Sequence, residues 1–310
     1  MTVYRLSGMA VGDLPDRPLS IALGNFDGVH IGHQRLLHAA AEAAKGIRGC
    51  SAAVWTFSSL VKSDASVPAL TTQEEKRLRF AQAGMDYAIF EEFAHVRHIS
   101  AEEFAADYLP RRMHAAAVVC GFNFHFGQNG RGDTALLGEI LASRRIPLTV
   151  IPPVCTDGIA VSSTRIRAAI ASGDMEKAQQ MLGRPFSVAL PVLHGNALGR
   201  TIGIPTINQD FPLGHILPAR GIYACLCTID GRKYPAVANI GSRPSVPGDG
   251  HINCETHIIG YSGDLYGRIV RVEFCRRLRD EQRFPSLDEL QSAIRGDIAA
   301  AREYFSSHQF

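Results

Sequence analysis

Several familiar signals are missing from this sequence. No apolar run approaches the roughly 18 residues needed to cross a bilayer as a helix, which excludes a helical membrane span. The opening stretch, MTVYRLSGMAVGDLPDRP, lacks a basic start followed by an apolar core, so no secretory leader is expected. Neither sign of charge dominates: 32 Lys and Arg against 30 Asp and Glu leave a formal net charge of +2. That balance argues against a general nucleic-acid partner and against a membrane surface. The seven cysteines have neither the spacing of a zinc site nor that of a disulfide framework. Cys225 and Cys227, two apart in the strand-like run IYACLCTI, would share one sheet face. Reduced, buried cysteines in a cytoplasmic protein are the expectation. Internal repeats and low-complexity segments are also absent.

What is present divides into two halves, as a length of 310 residues allows. Residues 1–184 alternate apolar runs with helical patterns. LSIALG, SAAVWTF, DYAIFE and AAAVVCGF read as strands, and PLTVIPPV as extended. Between them lie HQRLLHAAAEAAKG, TTQEEKRLRFAQAG, SAEEFAADYL and DTALLGEILAS, followed by SSTRIRAAIASG and DMEKAQQMLG. Thr72 with Glu75 and Ser100 with Glu103 form capping boxes. Wholly apolar strands separated by helices predict a parallel sheet covered on both faces. In residues 185–310 the pattern turns to alternation, with a hairpin signal at Asp230-Gly231. HINCETHII and RIVRVEFCRRL follow, and an antiparallel sheet or barrel is expected. One closing helix begins after a capping box of Ser286 and Glu289, and its apolar stripe is Leu287, Leu290, Ile294, Ile298, Ala301 and Phe305. The boundary is expected near Gly183-Arg184-Pro185.

The stretch ALGNFDGVHIGHQRLL, residues 22–37, carries the first chemical signal. It leaves a strand, passes Gly24, Gly28 and Gly32, and enters a helix. Loops at the carboxyl ends of parallel strands are where open α/β sheets bind ligands. Glycines let the backbone approach a bulky anion, and the helix start turns free N–H groups toward it. His30 and His33 there could donate to phosphate oxygens and stabilise charge during attack on phosphorus. An isolated His-x-x-His would read as surface or capping histidines; the glycine spacing favours function. The second signal is VSSTRIR, residues 161–167. Ser162, Ser163 and Thr164 suit a helix start, and Arg165 and Arg167 in the first turn oppose the helix dipole. Their placement favours a bound anion over a plain cap.

HIGH at residues 30–33 resembles the signature of the nucleotidylyltransferase superfamily. GNFDGVHIGH, GFNFHFG and SSTRIR in this order, followed by GRTIGIPTIN, resemble the prokaryotic bifunctional riboflavin kinase/FAD synthetases. The resemblance spans essentially the whole chain. It implies a Rossmann-like adenylyltransferase domain over residues 1–184 and an antiparallel six-stranded β-barrel kinase domain with a terminal helix over residues 185–310. It implies conversion of riboflavin to FMN and of FMN to FAD, with ATP as co-substrate and Mg²⁺ in both steps. By that resemblance His30 and His33 steady the ATP α-phosphate, and Gly24, Asn25, Phe26 and Asp27 line the nucleotide pocket. Asn123 lies near flavin and phosphates, and Ser163, Thr164 and Arg167 hold the β- and γ-phosphates. No side-chain nucleophile is needed, because the incoming phosphate attacks directly.

In the second half, residues 194–208 read HGNALGRTIGIPTIN. Thr206 and Asn208, two apart on an extended segment, point the same way and offer two oxygens suited to a hard, hydrated cation. The family meets Mg²⁺ and ATP phosphates there, with Gly199, Arg200 and Thr201 in the loop before. Glu255 in NCETHII reads as either a solvent-face residue or a base. The resemblance makes it the base for the ribityl 5′-hydroxyl. Asn239 and Arg243, in ANIGSRPSV, and Arg279 are the implied flavin contacts, while DLYG, residues 264–267, reads as structural. Arg276, Arg277, Arg279 and Arg283 taken alone read as a solvated basic face. Two departures stand out: Ser58-Ser59 replaces the family's Pro-x-Pro turn, leaving the 58–66 loop without the stiffening that proline gives, and Gly260 stands where an aspartate is usual. The altered loop leaves open a chain with only the kinase step intact, or a flavin-binding regulator without turnover.

Overall fold

The computed structural model describes residues 1–6, 14–58, 67–195, 199, 202–242 and 252–307. The chain divides into two compact units, Met1–Ser163 and Thr164–Phe310.

The first unit is a six-stranded, wholly parallel sheet with helices on both faces. Its strands are β1 (Thr2–Arg5), β2 (Leu19–Leu23), β3 (Ser51–Phe57), β4 (Tyr87–Glu91), β5 (Ala115–Gly121) and β6 (Leu148–Ile151). They lie in the order β1-β4-β3-β2-β5-β6. Every residue of β2 is buried, as the apolar run LSIAL predicts. Alternate residues serve opposite faces. Ile21 and Leu23 pack with Phe104, Leu109 and Leu137, and Ala22 packs with Leu37 and Ala40 of α1 (Ile31–Lys45). The unit also holds α2 (Gln73–Gln82), the short helices α3 (Phe93–Val96) and α4 (Ala101–Glu103), and α5 (Thr134–Ser143). The capping boxes form as expected: Glu75 N donates to Thr72 Oγ1 at 3.2 Å, and Glu103 N to Ser100 Oγ at 3.0 Å.

The helix expected over SAEEFAADYL differs in kind. After α4 it widens into a π-helix, Phe104–Arg112, with Pro110 inside and Met113 N bonded to Tyr108 O at 3.1 Å. Proline has no N–H to give and its ring crowds the preceding turn of an α-helix, and the wider winding relieves both. The π turn stacks Phe104 on Tyr108 at 5.3 Å and brings both against Trp55.

The second unit takes over within the first turn of α6 (Ser163–Ser172), which is followed by α7 (Met175–Leu182), ended by Gly183 at φ 71°. A six-stranded antiparallel sheet follows: β9 (Phe186–Pro191), β10 (Ile207–Asp210), β11 (Gly221–Ile229), β12 (Arg232–Ser242), β13 (Ile252–Ile258) and β14 (Ile269–Arg279), after the two-residue pair β7 (Cys155–Thr156) and β8 (Ile159–Ala160) of the first unit. Its order is β10-β13-β12-β11-β14-β9. The β11–β12 turn holds Asp230 at φ 49° and Gly231 at φ 77°, the paired left-handed geometry that an Asp-Gly hairpin favours. The sheet nearly closes on itself. The edge strands meet at an isolated bridge between Leu193 and Asn208. The buried Gln209 side chain stitches the gap, donating to Leu190 O at 2.7 Å and Val270 O at 2.9 Å.

The terminal helix α8 (Leu287–Ser307) packs on β12, β11 and β14. Its expected stripe holds over most of its length: Ala301 is buried and Ile298 and Phe305 pack against the barrel core, joined by buried Asp297 and Tyr304, while Leu287 at the start is 56% exposed. Asp297 is buried because it meets Arg279 of β14 in a two-pronged ion pair at 2.8 and 2.7 Å. The expected solvated arginine face is likewise ion-paired: Arg276 faces Glu176 at 3.5 Å and Arg277 faces Asp280 at 2.8 Å.

Candidate active sites

In the first unit the chain leaves β2 toward β3 on one side and reaches β5 on the other. The loops after β2 and β5 therefore part, opening the crevice where such sheets bind ligands. The loop after β2 carries Gly24, Asn25, Phe26 and Asp27, and is unusually bent. Phe26 stands at φ 51° and Val29 at φ 41°. Left-handed geometry at a buried aromatic and a β-branched residue is held only where surroundings enforce it. The segment just before and within α2 does so. Leu70 N donates to both Asp27 oxygens at 3.0 and 3.2 Å, and Thr71 Oγ1 accepts from Gly28 N at 3.1 Å. Asp27 is thus buried with its carboxylate turned into the fold. Asn25 O accepts from Lys76 Nζ at 2.8 Å and Thr56 Oγ1 at 3.0 Å.

His30 caps α1, its Nδ1 accepting from His33 N at 3.2 Å. A neutral His30 therefore carries its proton on Nε2. The two rings stack at 3.6 Å and 15°, and Phe26 flanks His33 at 5.2 Å. Burial first, then His30, then Lys76, push the His33 pKa well below the usual imidazole value, so this ring is neutral at pH 7. His33 Nδ1 and Asn25 Oδ1 are buried with no protein partner among the described residues. Such unmet polar atoms are expected where a ligand completes the site. Ser163, the last residue of the first unit, donates through its Oγ to Asp27 O at 2.9 Å. Thr164 and Arg167 lie on α6 in the second unit. Asn123 is exposed in the turn just after β5.

Sequence reasoning missed an adjoining cavity of about 530 Å³ whose walls include Trp55, Phe57, Phe93, Phe104, Phe124 and Phe126. Its aromatic rings come from four separate stretches of chain, and only GFNFHFG gave a hint of it. Ser58, the first residue of the altered loop, donates through its N to Glu91 O at 2.9 Å; residues 59–66 lie outside those described.

In the second unit the ladder assembles the site. Glu255 pairs across β13 with Asn208 on β10 and with Asn239 on β12. Asn253 Nδ2, not anticipated, donates to Glu255 Oε1 at 3.2 Å and fixes the carboxylate. A cavity of about 190 Å³ gathers Gly199, Thr206, Asn239, Glu255 and Arg279. Asn208 is buried and Asn239 Oδ1 has no partner among the described residues. Gly195 lies so close over Asn208 that a Cβ there would sit 2.7 Å from its Cγ. Arg279 lines this cavity as a braced wall, its guanidinium held by Asp297. Arg200, Thr201 and Arg243 lie outside the described residues. Gly260, the second departure, takes φ 76°, which favours glycine there.

A Rossmann-like sheet with a histidine-capped glycine loop, joined to a barrel with a carboxylate among amides, defines a two-domain transferase. A riboflavin kinase profile matches residues 182–305, and an FAD synthetase profile matches residues 14–165. The chain belongs to the bifunctional riboflavin kinase/FMN adenylyltransferase family. The Pseudomonas fluorescens member is 37% identical over 283 residues, covering 90% of this chain and 91% of that protein. The Escherichia coli K12 member is 36% identical over 94% of each, and that of Listeria monocytogenes 30% identical over 98% of each. A crystal structure described as a macrolide-efflux protein from Streptococcus pneumoniae matches with a TM-score of 0.87 at 30% identity, over 97% of this chain and 99% of that one. Among the described residues no helix is long and apolar enough to cross a membrane.

Proposed function

We propose that the chain phosphorylates riboflavin to FMN in its barrel and adenylylates FMN to FAD in its parallel-sheet domain, with the division falling between residues 1–184 and 185–310. The observation that carries the reading is the ladder register that seats Glu255 between Asn208 and Asn239.

In the kinase step Glu255 takes the proton of the ribityl 5′-hydroxyl as that oxygen attacks the γ-phosphorus of ATP, and ADP departs. Asn253 keeps the carboxylate aimed. Thr206 and Asn208 offer hard oxygens, which suit a Mg²⁺ that keeps water and phosphate oxygens as its other ligands. When bound, Mg²⁺ supplies neutralisation of phosphate charge. Gly199 belongs to the loop that meets the ATP phosphates, and Asn239 and Arg279 contact the flavin; Arg200, Thr201 and Arg243, outside the described residues, keep the phosphate and flavin roles the resemblance implies.

In the adenylylation step an FMN phosphate oxygen attacks the α-phosphorus of ATP and pyrophosphate leaves. His30 and His33 donate to the α-phosphate, while Ser163, Thr164 and Arg167 hold the departing pyrophosphate. Gly24, Asn25 and Phe26 bound the nucleotide, and buried Asp27 shapes the loop. The aromatic cavity takes the flat flavin ring beside Asn123, since stacked and edge-on rings favour such a guest. The described cysteines are all free, in keeping with work in the cytoplasm.

The test is to incubate the protein with riboflavin, ATP and Mg²⁺ and to separate the flavins by chromatography. Both FMN and FAD are expected. Glu255→Gln should stop FMN formation and spare FMN-to-FAD conversion, and His30→Ala should do the reverse. A folded single variant that lost both steps would refute the two-site division.

A further inference from the structure

Lys76 is a charged side chain placed where charge is unfavourable. It is only 5% exposed, on α2, and its ammonium reaches across to the carbonyl of Asn25 at 2.8 Å. We propose that Lys76 is a positioning residue for adenylyl transfer: its ammonium pins the 25–29 loop in its left-handed bend and sets a fixed positive charge behind the stacked imidazoles. The inference rests on the reading of His30 and His33 given above.

Three independent links run from the 70–76 segment to the loop. Leu70 and Thr71 hold the Asp27 carboxylate, Thr71 takes the Gly28 N–H, and Lys76 takes the Asn25 carbonyl. They bracket Phe26 and lead into Val29, the two residues forced to φ 51° and 41°. A bend of that kind relaxes unless it is held from several sides. The Asn25 end of the bend is held by Lys76 and Thr56, and the ammonium brings a charge there that a neutral donor would not.

That charge acts on its neighbours. The charged groups facing Lys76 are Asp27 from the loop and His33 from α1, with His30 stacked beyond; Glu75 on its own helix is taken by Arg79 at 2.6 Å. Burial lowers Lys76 to about 8, with Asp27 opposing, so it is still mostly protonated at neutral pH. Its charge is one of the causes that keep His33 neutral. A neutral imidazole can donate from one nitrogen while accepting on the other, and the cation behind it favours a negatively charged phosphate in front.

Two variants separate holding from charge. Lys76→Gln keeps a donor for Asn25 O without the charge, and Lys76→Met keeps neither, though Thr56 Oγ1 still bonds that carbonyl. In both, FMN-to-FAD conversion is expected to fall, by about 100-fold for Lys76→Met, the scale of a small misplacement at a reacting centre. Riboflavin-to-FMN conversion should stay within about twofold, the spread expected of a surface-like change to an independent site. In Lys76→Gln the acid limb of the FAD-forming profile should move to higher pH. The His33 imidazole, followed by NMR of histidine-labelled full-length protein, should titrate higher by the same interval. An unchanged His33 titration, an unchanged FAD rate in Lys76→Met, or joint loss of FMN formation would each overturn the proposal. Were His30→Ala to leave FAD formation intact, the reading of the loop would fail, while the His33 titration would still decide whether Lys76 sets its charge.

Discussion

A lysine buried for function should leave its mark on stability. The folded protein lowers Lys76 from 10.5 to about 8, so between those values the unfolded chain holds the proton more tightly. Stability therefore carries a penalty below about pH 8 and recovers it as pH rises toward 10.5. At 1.36 kcal/mol per pKa unit the full penalty is about 3 kcal/mol. Lys76→Met should then unfold at higher urea than the parent at pH 7, and the gap should close by pH 10. A constant gap would show that the ammonium is solvated in the folded state. Residues of this type were hidden from sequence reading. In QEEKRLRF, Lys76 looks like any solvent-facing residue of a capped helix, and only the fold reveals that it points inward. Asp297 was missed for the same reason, since its partner Arg279 lies 18 residues away on another element. His30 and His33 stood out in the sequence because of the glycines around them, whereas Glu255 in its apolar strand read equally as a surface residue and was singled out only by the resemblance.

Elements were legible where local chemistry decides them. Thr72, Ser100 and Ser286 cap the helices they were expected to cap, and Asp230-Gly231 turns the hairpin. The π-helical stretch was not, because Pro110 suggests a break and the widened turn depends on packing of Phe104 and Tyr108 against Trp55. The glycine-rich loop before β10 makes a prediction at this scale. A methyl group at Gly195 would press on the Asn208 amide, 2.7 Å from its Cγ. Gly195→Ala should slow FMN formation by up to about 100-fold, the scale of a misplaced group at a reacting centre. It should leave FMN-to-FAD conversion untouched, which separate assays of the two half-reactions would establish. Equal loss of both would point to a general folding defect.

At the scale of the whole molecule, the change from unbroken apolar strands to alternating ones marked two folds in one chain, each with its own strand order. What the pattern could not supply was the barrel's closure, which depends on one amide, Gln209, bonding across the gap. Two sites with separate machinery should also work in separate molecules. A mixture of the His30→Ala and Glu255→Gln variants should make FAD from riboflavin after a lag in which FMN accumulates, although neither does so alone. No FAD from the mixture, with each half-reaction intact, would mean that FMN is not released between steps.

Closure by Gln209 has a last consequence. A hoop fastened by a clasp has a preferred place to come undone, and here the clasp is the immediate neighbour of Asn208, whose bridge to Leu193 is the adjoining link. Easing it would loosen the strand that carries Asn208 while the ladders of β11, β12 and β14 still stand.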